Sequence, residues 1–199
     1  MTNPLYEGLG RYFSPEQLNA LHAAKVGIAG AGGLGSNAAL MLVRSGVGHI
    51  TLVDDDVVDA SNLNRQQYWP RHVGSSKVEA LSELLQELNP QLSVETHKLR
   101  ITAETLPGIL PACPIWVEAF DSPNDKSLFV EAALLAGHKV ASASGMGGYG
   151  GAPMSRRNLG NLILVGDFTT DILMAPPLAP RVTEAAALLA DAVLEMLLG

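Results

Sequence analysis

The sequence predicts an α/β protein built around a mainly parallel, doubly wound sheet. Short apolar runs rich in β-branched residues alternate with segments of helical period, which is the pattern of stacked βα units. A glycine-rich turn stands between the first apolar run and the first helical segment. The 199 residues are 47% hydrophobic and 17% charged, which is enough to bury one core but hardly two. We therefore expect a single globular domain without an internal repeat or a long linker.

The periodicity of apolar residues locates the elements along the chain. Ser76 with Glu79 has the spacing of a capping box, and Thr183 is the predicted N-cap of the last helix. An N-terminal helical segment at residues 1–24 precedes a core at 25–143, and residues 144–199 complete the domain. The expected strands are 26–29, 49–53, 92–96, 115–119, 139–143 and 161–165, and the expected helices are 33–44, 76–88, 125–136 and 183 to near 199. Together they predict a three-layer fold of the Rossmann type.

Charge and hydropathy exclude several classes of partner. The formal net charge is -7 and the isoelectric point is about 5.1. Lys and Arg do not cluster, so the chain lacks the basic surface that nucleic acid or an anionic membrane would need. No apolar stretch reaches about 18 residues, and the N-terminus has no basic start followed by an apolar run. We expect a soluble, cytoplasmic protein that binds neither nucleic acid nor a membrane.

The cysteine and histidine content argues against a zinc site. Cys113 is the one cysteine, so neither an internal disulfide nor a tetrahedral site of paired cysteines can form. The five histidines are far apart in the sequence and lack the spacing of metal ligands. We expect no zinc, histidines at the surface or at caps, and an inert Cys113.

The strongest local pattern is a G-x-G-x-x-G turn after the first strand, the run Gly30-Ala31-Gly32-Gly33-Leu34-Gly35. Gly30 permits a tight turn, Gly32 lets a phosphate approach the backbone, and Gly35 lets the helix pack on the strand. The helix N-terminus adds N–H donors and the positive end of its dipole. Asp54 ends the second strand at about the spacing of an acid that binds ribose, roughly 20 residues on. The pattern indicates a nucleotide, NAD included, or else a structural turn beside an unrelated aspartate.

The loop after Asp54 favours a polyphosphate over a nicotinamide. Asn62, Arg65 and Gln66 supply one guanidinium and two amides, a set that suits a polyphosphate undergoing cleavage. Lys77 stands in the first turn of a predicted helix, where the helix dipole opposes a cation. A bound anion, or a side chain that swings away, would explain it. The alternative for Arg65 and Lys77 is a solvated charge.

Asp121 is the candidate metal ligand. It follows a strand in VEAFDSPND, at the carboxyl edge of the sheet where ligands of such folds bind. A carboxylate there can hold Mg²⁺, with waters and phosphates as the other ligands. Asp121 can instead cap the helix that begins near Asn124.

Over residues 25–125 the sequence resembles the ThiF, MoeB and HesA superfamily of enzymes that activate ubiquitin-like proteins. The resemblance is carried by KVGIAGAGGLGSNAALMLVRSGVGHITLVDDDVVDASNLNRQQYW and by the later GSSKVEAL, ELNP and EAFD. The segments ASGMGGYG and VGDFTTDILMAPPLAPRV are similar to the short ThiF subgroup, the sulfur-carrier adenylyltransferases of thiamine biosynthesis. The resemblance therefore extends to almost the whole chain.

The resemblance implies an ATP-dependent adenylyltransferase. Such an enzyme adenylates the C-terminal glycine carboxylate of a small ThiS-like sulfur carrier ending in Gly-Gly, and releases pyrophosphate without a nucleophilic side chain. It implies ATP and Mg²⁺ as cofactors and a homodimer, with residues 25–143 as the nucleotide-binding core and carrier tails near 145–151. The implied contacts are ribose or neighbouring polar groups for Asp54 and Asp56, phosphates for Asn62, Arg65, Gln66 and Lys77, and Mg²⁺ for Asp121, with Arg65, Lys77 and Asp121 catalytic.

Several features depart from the longer members of that superfamily. The chain has no paired cysteines for zinc and no cysteine after the fifth strand, which argues against covalent sulfur transfer through this protein. Ser14 stands where larger members place an arginine that reaches the ATP of a partner subunit. Arg156 and Arg157 are either a solvated basic pair or contacts for phosphate or the carrier tail. Two other classes stay open from the sequence, an NAD(P)-dependent oxidoreductase and an inactive nucleotide-binding scaffold.

Overall fold

A single sheet forms the centre of the fold. A computed structural model of the chain describes residues 3–171 and 174–199, so Ile172 and Leu173 of the quoted VGDFTTDILMAPPLAPRV segment lie outside the described residues. The strands of the described part are β1 (Lys25–Ala29), β2 (His49–Val53), β3 (Ser93–His97), β4 (Ile115–Glu118), β5 (Lys139–Ala143), β6 (Ser155–Leu159) and β7 (Leu162–Gly166). Their order across the sheet is β3-β2-β1-β4-β5-β7-β6.

The order of the strands creates a crevice between β1 and β4. The chain adds β2 and β3 on one side of β1 and then returns to add β4, β5 and β7 on the other. All neighbouring pairs from β3 to β7 are parallel, with Val26 opposite Ile50 on one side and Ile115 on the other. The outermost strand, β6, runs antiparallel to β7. Loops that leave adjacent strands in opposite directions open a ligand crevice at such a switch point.

Helices cover both faces of the sheet. In the described residues they are α1 (Pro4–Leu9), α2 (Pro15–Ala23), α3 (Gly33–Arg44), α4 (Lys77–Leu88), α5 (Leu106–Ile109), α6 (Pro123–Leu135) and α7 (Ala179–Leu198). One face is covered by α3, α4 and α7, with α2 beside α7, and the other face by α5 and α6. The predicted three-layer, doubly wound α/β architecture is therefore confirmed. None of the described helices is long and apolar enough to span a bilayer.

Size complementarity between neighbouring strands fixes the core under α6. Trp116 of β4 is fully buried and packs edge-on against Phe129 of α6, with ring centroids 5.4 Å apart. A Cβ atom on Gly27 of β1 would lie 2.2 Å from the Trp116 ring, so only glycine leaves room for the indole. Burying large side chains such as these stabilises the fold by about 1.5–3 kcal/mol each.

Most predicted elements coincide with the observed ones or shift by a residue or two at their ends. The prediction missed β6, whose sequence SRRNL has no apolar alternation. The reason is that β6 is an edge strand with mainly exposed residues, and polar side chains on an edge discourage pairing with other chains. Because β6 occupies the edge, the observed sheet has one antiparallel pair.

Of the two predicted helix caps, one is right in position only and the other is wrong. Ser76 is the N-cap residue of α4, but its hydroxyl makes no capping hydrogen bond, so the predicted capping box does not form. The backbone of Ser76 forms a bridge with Val57. Its Oγ atom is buried without a hydrogen-bond partner among the described residues. Thr183 lies inside α7, which begins at Ala179. Pro180 accounts for the earlier start, since proline is favoured in the first helical turn.

Replacing Gly35 with alanine tests the packing of α3 on the glycine turn. A Cβ atom there would stand 1.8 Å from the carbonyl oxygen of Gly30 and 3.0 Å from Ile28 Cγ2. Backbone atoms cannot step aside cheaply, so we expect Gly35→Ala to lower the free energy of unfolding by about 3 kcal/mol. Urea unfolding followed by circular dichroism measures the change.

The control is Gly108→Ala. Gly108 lies in α5, and its Cβ position has no heavy atom within 4 Å. An alanine there should leave stability unchanged or raise it by about 0.5–1 kcal/mol. Equal losses in the two variants would contradict the role given to Gly35.

Candidate functional site

A cavity opens at the carboxyl ends of the parallel strands. Its volume is about 750 Å³, and segments that follow all six parallel strands contribute to its wall. These segments supply Gly30, Gly32, Gly33 and Leu34 after β1, Asp54, Asp55, Asp56, Arg65, Gln66 and Lys77 after β2, Arg100 and Ile101 after β3, residues 119–123, Asp125 and Lys126 after β4, residues 143–146 after β5, and residues 168–171 after β7. The switch point and the cavity therefore coincide.

The turn from β1 into α3 has the geometry that the glycine pattern predicts. Gly30 has φ +99°, and a Cβ atom there would stand 2.7 Å from the carbonyl oxygen of Ala119. Its N–H donates to the carbonyl of Val53 at 2.8 Å. Gly32 is the N-cap of α3 and provides no side-chain cap, and the space beside it is open except for the Gln66 amide, 3.8 Å from a Cβ position. The first amides of α3 thus lie beside the cavity.

Asp54 holds this turn in place. One oxygen of its carboxylate accepts the N–H of Ala31 at 2.6 Å, and the other accepts the N–H of Asp56 at 2.8 Å. Only 9% of Asp54 is exposed. Burial raises the pKa of Asp54, while the charge of Lys77 and the two main-chain hydrogen bonds oppose the rise. Each carboxylate oxygen still has a lone pair for another donor.

Tyr68 is a buried residue that helps to hold the site together, and the sequence did not predict this role. Its hydroxyl lies 2.7 Å from the carbonyl oxygen of Ala31, to which it donates, and 3.2 Å from that of Lys77. Burial raises the pKa of Tyr68 well above its usual value, so the hydroxyl keeps its proton. Tyr68 connects the glycine turn to the start of α4. The signal in the sequence was an aromatic residue within a polar loop.

Arg65 and Gln66 are carried on a loop that is fastened to α3. The Asn37 amide donates to the carbonyl oxygens of Gly33 and Arg65 at 2.6 and 2.9 Å. The Arg65 guanidinium donates to Ser61 and Asn64 of its own loop. Gln66 is buried, and its Oε1 atom has no hydrogen-bond partner among the described residues. Both side chains line the cavity.

Lys77 points into the cavity and is paired with Asp56. The Lys77 ammonium lies 2.6 Å from the Asp56 carboxylate, and the Lys77 side chain is 8% exposed against 65% for Asp56. The Lys77 N–H also donates to the Asp56 carbonyl at 3.1 Å. A carboxylate thus offsets the unfavourable position of this cation at a helix N-terminus. Asp56 therefore pairs with Lys77 in this structure. The resemblance implies that Asp56 contacts ribose or a neighbouring polar group.

Asp121 lies on a turn whose position depends on buried Glu118. One Glu118 carboxylate oxygen accepts the N–H of Phe120 at 2.8 Å, and the other meets Lys126 and Ser142, each at 2.5 Å. Asp121 itself is exposed on the cavity wall. It is not the cap of α6, because the Ser122 hydroxyl accepts the N–H of Asp125. The sequence analysis did not predict this role of Glu118. A charged residue within an apolar strand was the signal for it.

Two predicted contact residues do not reach the cavity wall in the described structure. The Asn62 side chain accepts the N–H of Asp59 at 3.0 Å and so closes a short turn of 3₁₀ helix. Gly35 faces the Gly30 carbonyl inside the fold.

Cys113 is buried, and its thiol lies 3.3 Å from the Thr51 hydroxyl. Burial raises the pKa of the Cys113 thiol, consistent with an inert residue.

A buried ion pair shapes the far end of the cavity. The Asp167 carboxylate meets the Arg181 guanidinium and accepts the N–H groups of Thr169 and Thr170 at 2.8 Å each. Burial alone would raise the pKa of Asp167, but the hydrogen bonds from Thr170 and Thr169 and the Arg181 guanidinium lower it well below its usual range. Arg181 also donates to the carbonyl of Gly150 at 2.5 Å. The pair therefore joins three segments.

Phe168 in this turn has a strained backbone. Its φ is +57°. In the described part of the chain, no other non-glycine residue has a positive φ. For a bulky side chain such a conformation costs on the order of 1–3 kcal/mol. The guanidinium of Arg157 lies over the Phe168 ring, 3.8 Å from its centroid, whereas Arg156 pairs with Glu195 of α7 at 2.5 Å. The two arginines thus have separate roles.

The fold and the cavity define a Rossmann-like domain with a glycine turn and a helix N-terminus at its switch point. Comparison with known families matches residues 8–162 to the ThiF family. The chain belongs to the ThiF family.

Curated relatives match only part of their own length. The adenylyltransferase and sulfurtransferase uba4 of Aspergillus fumigatus is 39% identical over 147 residues, which are 71% of this chain and 30% of the relative. The protein of the same name in Candida glabrata is 40% identical over 128 residues, 64% of this chain and 30% of the relative. This chain therefore spans less than a third of the length of these relatives.

Solved structures reproduce the fold. The tRNA N6-threonylcarbamoyladenosine dehydratase TcdA of Escherichia coli, in complex with ATP, superposes with a TM-score of 0.86 over 96% of this chain and 93% of that one, at 22% identity. E. coli MccB with ATP gives a TM-score of 0.77 over 98% of this chain and 64% of that one, at 26% identity. The first likeness supports the fold alone.

Replacing Asp167 with asparagine tests the buried ion pair. The variant leaves the buried Arg181 guanidinium without its carboxylate, so we expect a loss of about 3–5 kcal/mol in unfolding free energy at pH 7. Because the pKa of Asp167 is lowered in the folded state, its contribution is complete above about pH 5 and is lost as pH falls below about 3.9. Urea unfolding from pH 7 to pH 2.5 should show the gap between the two proteins narrowing in acid.

Asp191→Asn provides the control. Asp191 lies 3.8 Å from Arg156, and its side chain is 73% exposed, so this surface pair should contribute less than about 1 kcal/mol. A gap between wild type and Asp167→Asn that stays constant down to pH 2.5 would refute the pairing as the source of stability.

Proposed function

We propose that this chain uses ATP to adenylate the C-terminal carboxylate of a small sulfur-carrier protein. The observation that carries the proposal is the convergence of four features on one cavity. The glycine turn and the first amides of α3 lie beside two cations, Arg65 and Lys77. The carboxylate of Asp121, which has no partner among the described residues, completes the set. The combination suits a polyphosphate and its metal better than a nicotinamide.

The relatives support the adenylation half of their chemistry. The fungal proteins are named adenylyltransferase and sulfurtransferase, and E. coli MccB has been solved with ATP and with AMPCPP and MccA. A sulfurtransferase step needs a reactive thiol. The one cysteine of this chain, Cys113, is buried and does not line the cavity, so adenylation is the activity we assign.

The reaction joins an oxygen of the carrier carboxylate to the α-phosphorus of ATP. The bond from that phosphorus to the oxygen that bridges to the β-phosphate breaks, and pyrophosphate leaves. The protein contributes position and charge stabilisation. Main-chain amides at Gly32 and Gly33 would bind phosphate oxygens, Arg65 and Lys77 would offset their charge, and Asp54 would accept a ribose hydroxyl through the lone pairs that its main-chain bonds leave free.

Mg²⁺ fits the donor set on the β4 side of the cavity. Asp121 offers hard carboxylate oxygens, and within residues 3–171 and 174–199 it makes no hydrogen bond or ion pair. We propose Asp121 as the protein ligand of Mg²⁺, which when bound neutralises charge on the phosphates. Asp54, Asp55 and Asp56 form a second group of oxygens close enough to share a cation, but Asp54 and Asp56 already have protein partners.

In this proposal the Lys77 ammonium has two competing partners, the Asp56 carboxylate and the phosphates of the nucleotide. In this structure the ammonium is held by Asp56 at 2.6 Å, which keeps it aimed into the cavity. Because Asp56 is largely exposed, its carboxylate can be hydrated when Lys77 turns to a phosphate. Asp56 therefore acts in our proposal as a positioning residue for Lys77.

The finer assignment rests on the resemblance of the sequence to the short ThiF subgroup. We propose a ThiS-like carrier ending in Gly-Gly as the substrate, thiamine thiazole synthesis as the pathway, a homodimer as the assembly and the cytoplasm as the location. The nucleotide would bind to the core formed by residues 25–143, and the carrier tail would lie near residues 145–151.

ATP–pyrophosphate exchange tests the proposed function. The protein is incubated with ATP, labelled pyrophosphate and each of several purified sulfur carriers ending in Gly-Gly, with and without Mg²⁺. We expect exchange with one carrier, only when Mg²⁺ is present, and none when the carrier lacks its last glycine. Absence of exchange with every carrier, in a protein that binds ATP, would favour an inactive scaffold instead.

Lys77→Met tests the contribution of the cation. The substitution keeps the aliphatic length but removes the charge beside the phosphates, so we expect the exchange rate to fall about 10²-fold or more. Lys98→Met is the matched control, since Lys98 is exposed and does not line the cavity, and it should exchange at the wild-type rate. A Lys77→Met enzyme with near-normal exchange would remove Lys77 from the site.

A further inference from the structure

The two ends of the cavity differ in charge. The cations of its described wall all lie on segments that follow β2, β3 and β4, the set Arg65, Lys77, Arg100 and Lys126. The end formed after β5 and β7 has no cation within the described residues, and its wall is made of hydroxyl, glycine and apolar residues such as Ser144, Met146 and Phe168, together with the carboxylate of Asp171. A phosphate has no counter-charge at this end. An uncharged stretch of peptide chain suits it better.

The non-glycine residue with positive φ in the described part of the chain lies in this wall, which has no cation. Phe168 has φ +57°, a conformation in which glycine would be free of strain. Its position is fixed from both sides in the chain, because the Phe168 N–H donates to Ser144 at 3.1 Å and the Asp167 carboxylate binds the two following amides. The structure therefore retains an aromatic ring where the backbone favours glycine. Strain kept in this way at a cavity wall points to a role for the side chain.

The ring is also supported from behind. Arg157 of the edge strand lies 3.8 Å from the ring centroid, an arrangement that is attractive between a guanidinium and an aromatic face. The neighbouring loop packs closely against this turn, because a Cβ atom on Gly145 would lie 2.2 Å from Asp167 Oδ1. The ring is thus a firm part of the wall.

We propose that Phe168 is a specificity-determining residue that limits the size of the residue next to the terminal glycine of the substrate tail. The inference rests on the proposed function, which brings a C-terminal carboxylate to the α-phosphorus at the centre of the cavity. The residues that precede the carboxylate then extend toward the end of the cavity that has no cation in its described wall. A tail without side chains can lie against the ring, whereas a Cβ atom on the penultimate residue meets it.

Paired tails and paired variants test this role. The carrier that supports exchange is prepared with its natural Gly-Gly ending and with Ala-Gly, and kcat/KM is measured for each. The wild-type enzyme should favour Gly-Gly by about tenfold or more, and Phe168→Ala should reduce that preference at least about fivefold while the KM for ATP stays unchanged. Tyr12→Ala is the matched control, an exposed aromatic that does not line the cavity, and it should keep the wild-type preference.

A second variant separates the ring from the backbone strain. Phe168→Gly removes both, whereas Phe168→Ala removes the ring and keeps a Cβ at positive φ, so Phe168→Gly should have the higher melting temperature and a similarly relaxed tail preference. An unchanged preference in both folded variants would overturn the assignment, as would a rise in the KM for ATP alone. Absence of exchange by the wild-type enzyme with every carrier would instead refute the proposed function, before Phe168 is tested.

Discussion

Buried carboxylates at the ends of three parallel strands hold the loops that form the cavity. Asp54 after β2, Glu118 at the end of β4 and Asp167 after β7 each accept the main-chain N–H two residues further on, at 2.8 Å in all three cases. Each also lies near a cation, respectively Lys77, Lys126 and Arg181. A buried charge is tolerated only when it is paired and hydrogen-bonded. Each loop must therefore keep its main-chain N–H groups on the carboxylate, and this fixes the position of the loop.

This arrangement separates the parts of the cavity by their chemistry. Around Asp54 and Glu118 the carboxylates order a glycine turn, two cations and an unpaired aspartate, which together suit a charged ligand. Around Asp167, the buried carboxylate orders a strained aromatic residue and hydroxyl side chains. The charge of Arg181 is neutralised there by its pairing with Asp167. A reaction between a polyphosphate and the end of a neutral chain needs both environments side by side. They meet between the segments that follow β4 and β5, next to the switch point.

The sequence was sufficient for the layers of the fold and for bringing four predicted contact residues to one cavity, because both follow from local patterns. Apolar period located the buried strands, and Gly30, Arg65, Lys77 and Asp121 stand in contiguous, recognisable segments. The edge strand β6 escaped because exposed polar residues carry no such period. Tyr68 and the Asp167–Arg181 pair escaped because their partners are distant in sequence. Asn62 was placed at the phosphates from its proximity to Arg65, whereas local hydrogen bonding turns it toward Asp59.

The most direct measurement of the central claim is a crystal structure of the protein with AMPCPP and Mg²⁺. The account predicts phosphate oxygens within hydrogen-bonding distance of the main-chain N–H groups at Gly32 and Gly33, the Lys77 ammonium turned from Asp56 toward them, and the metal on Asp121. A nucleotide bound with its phosphates at the Phe168 end, or outside the cavity, would contradict it.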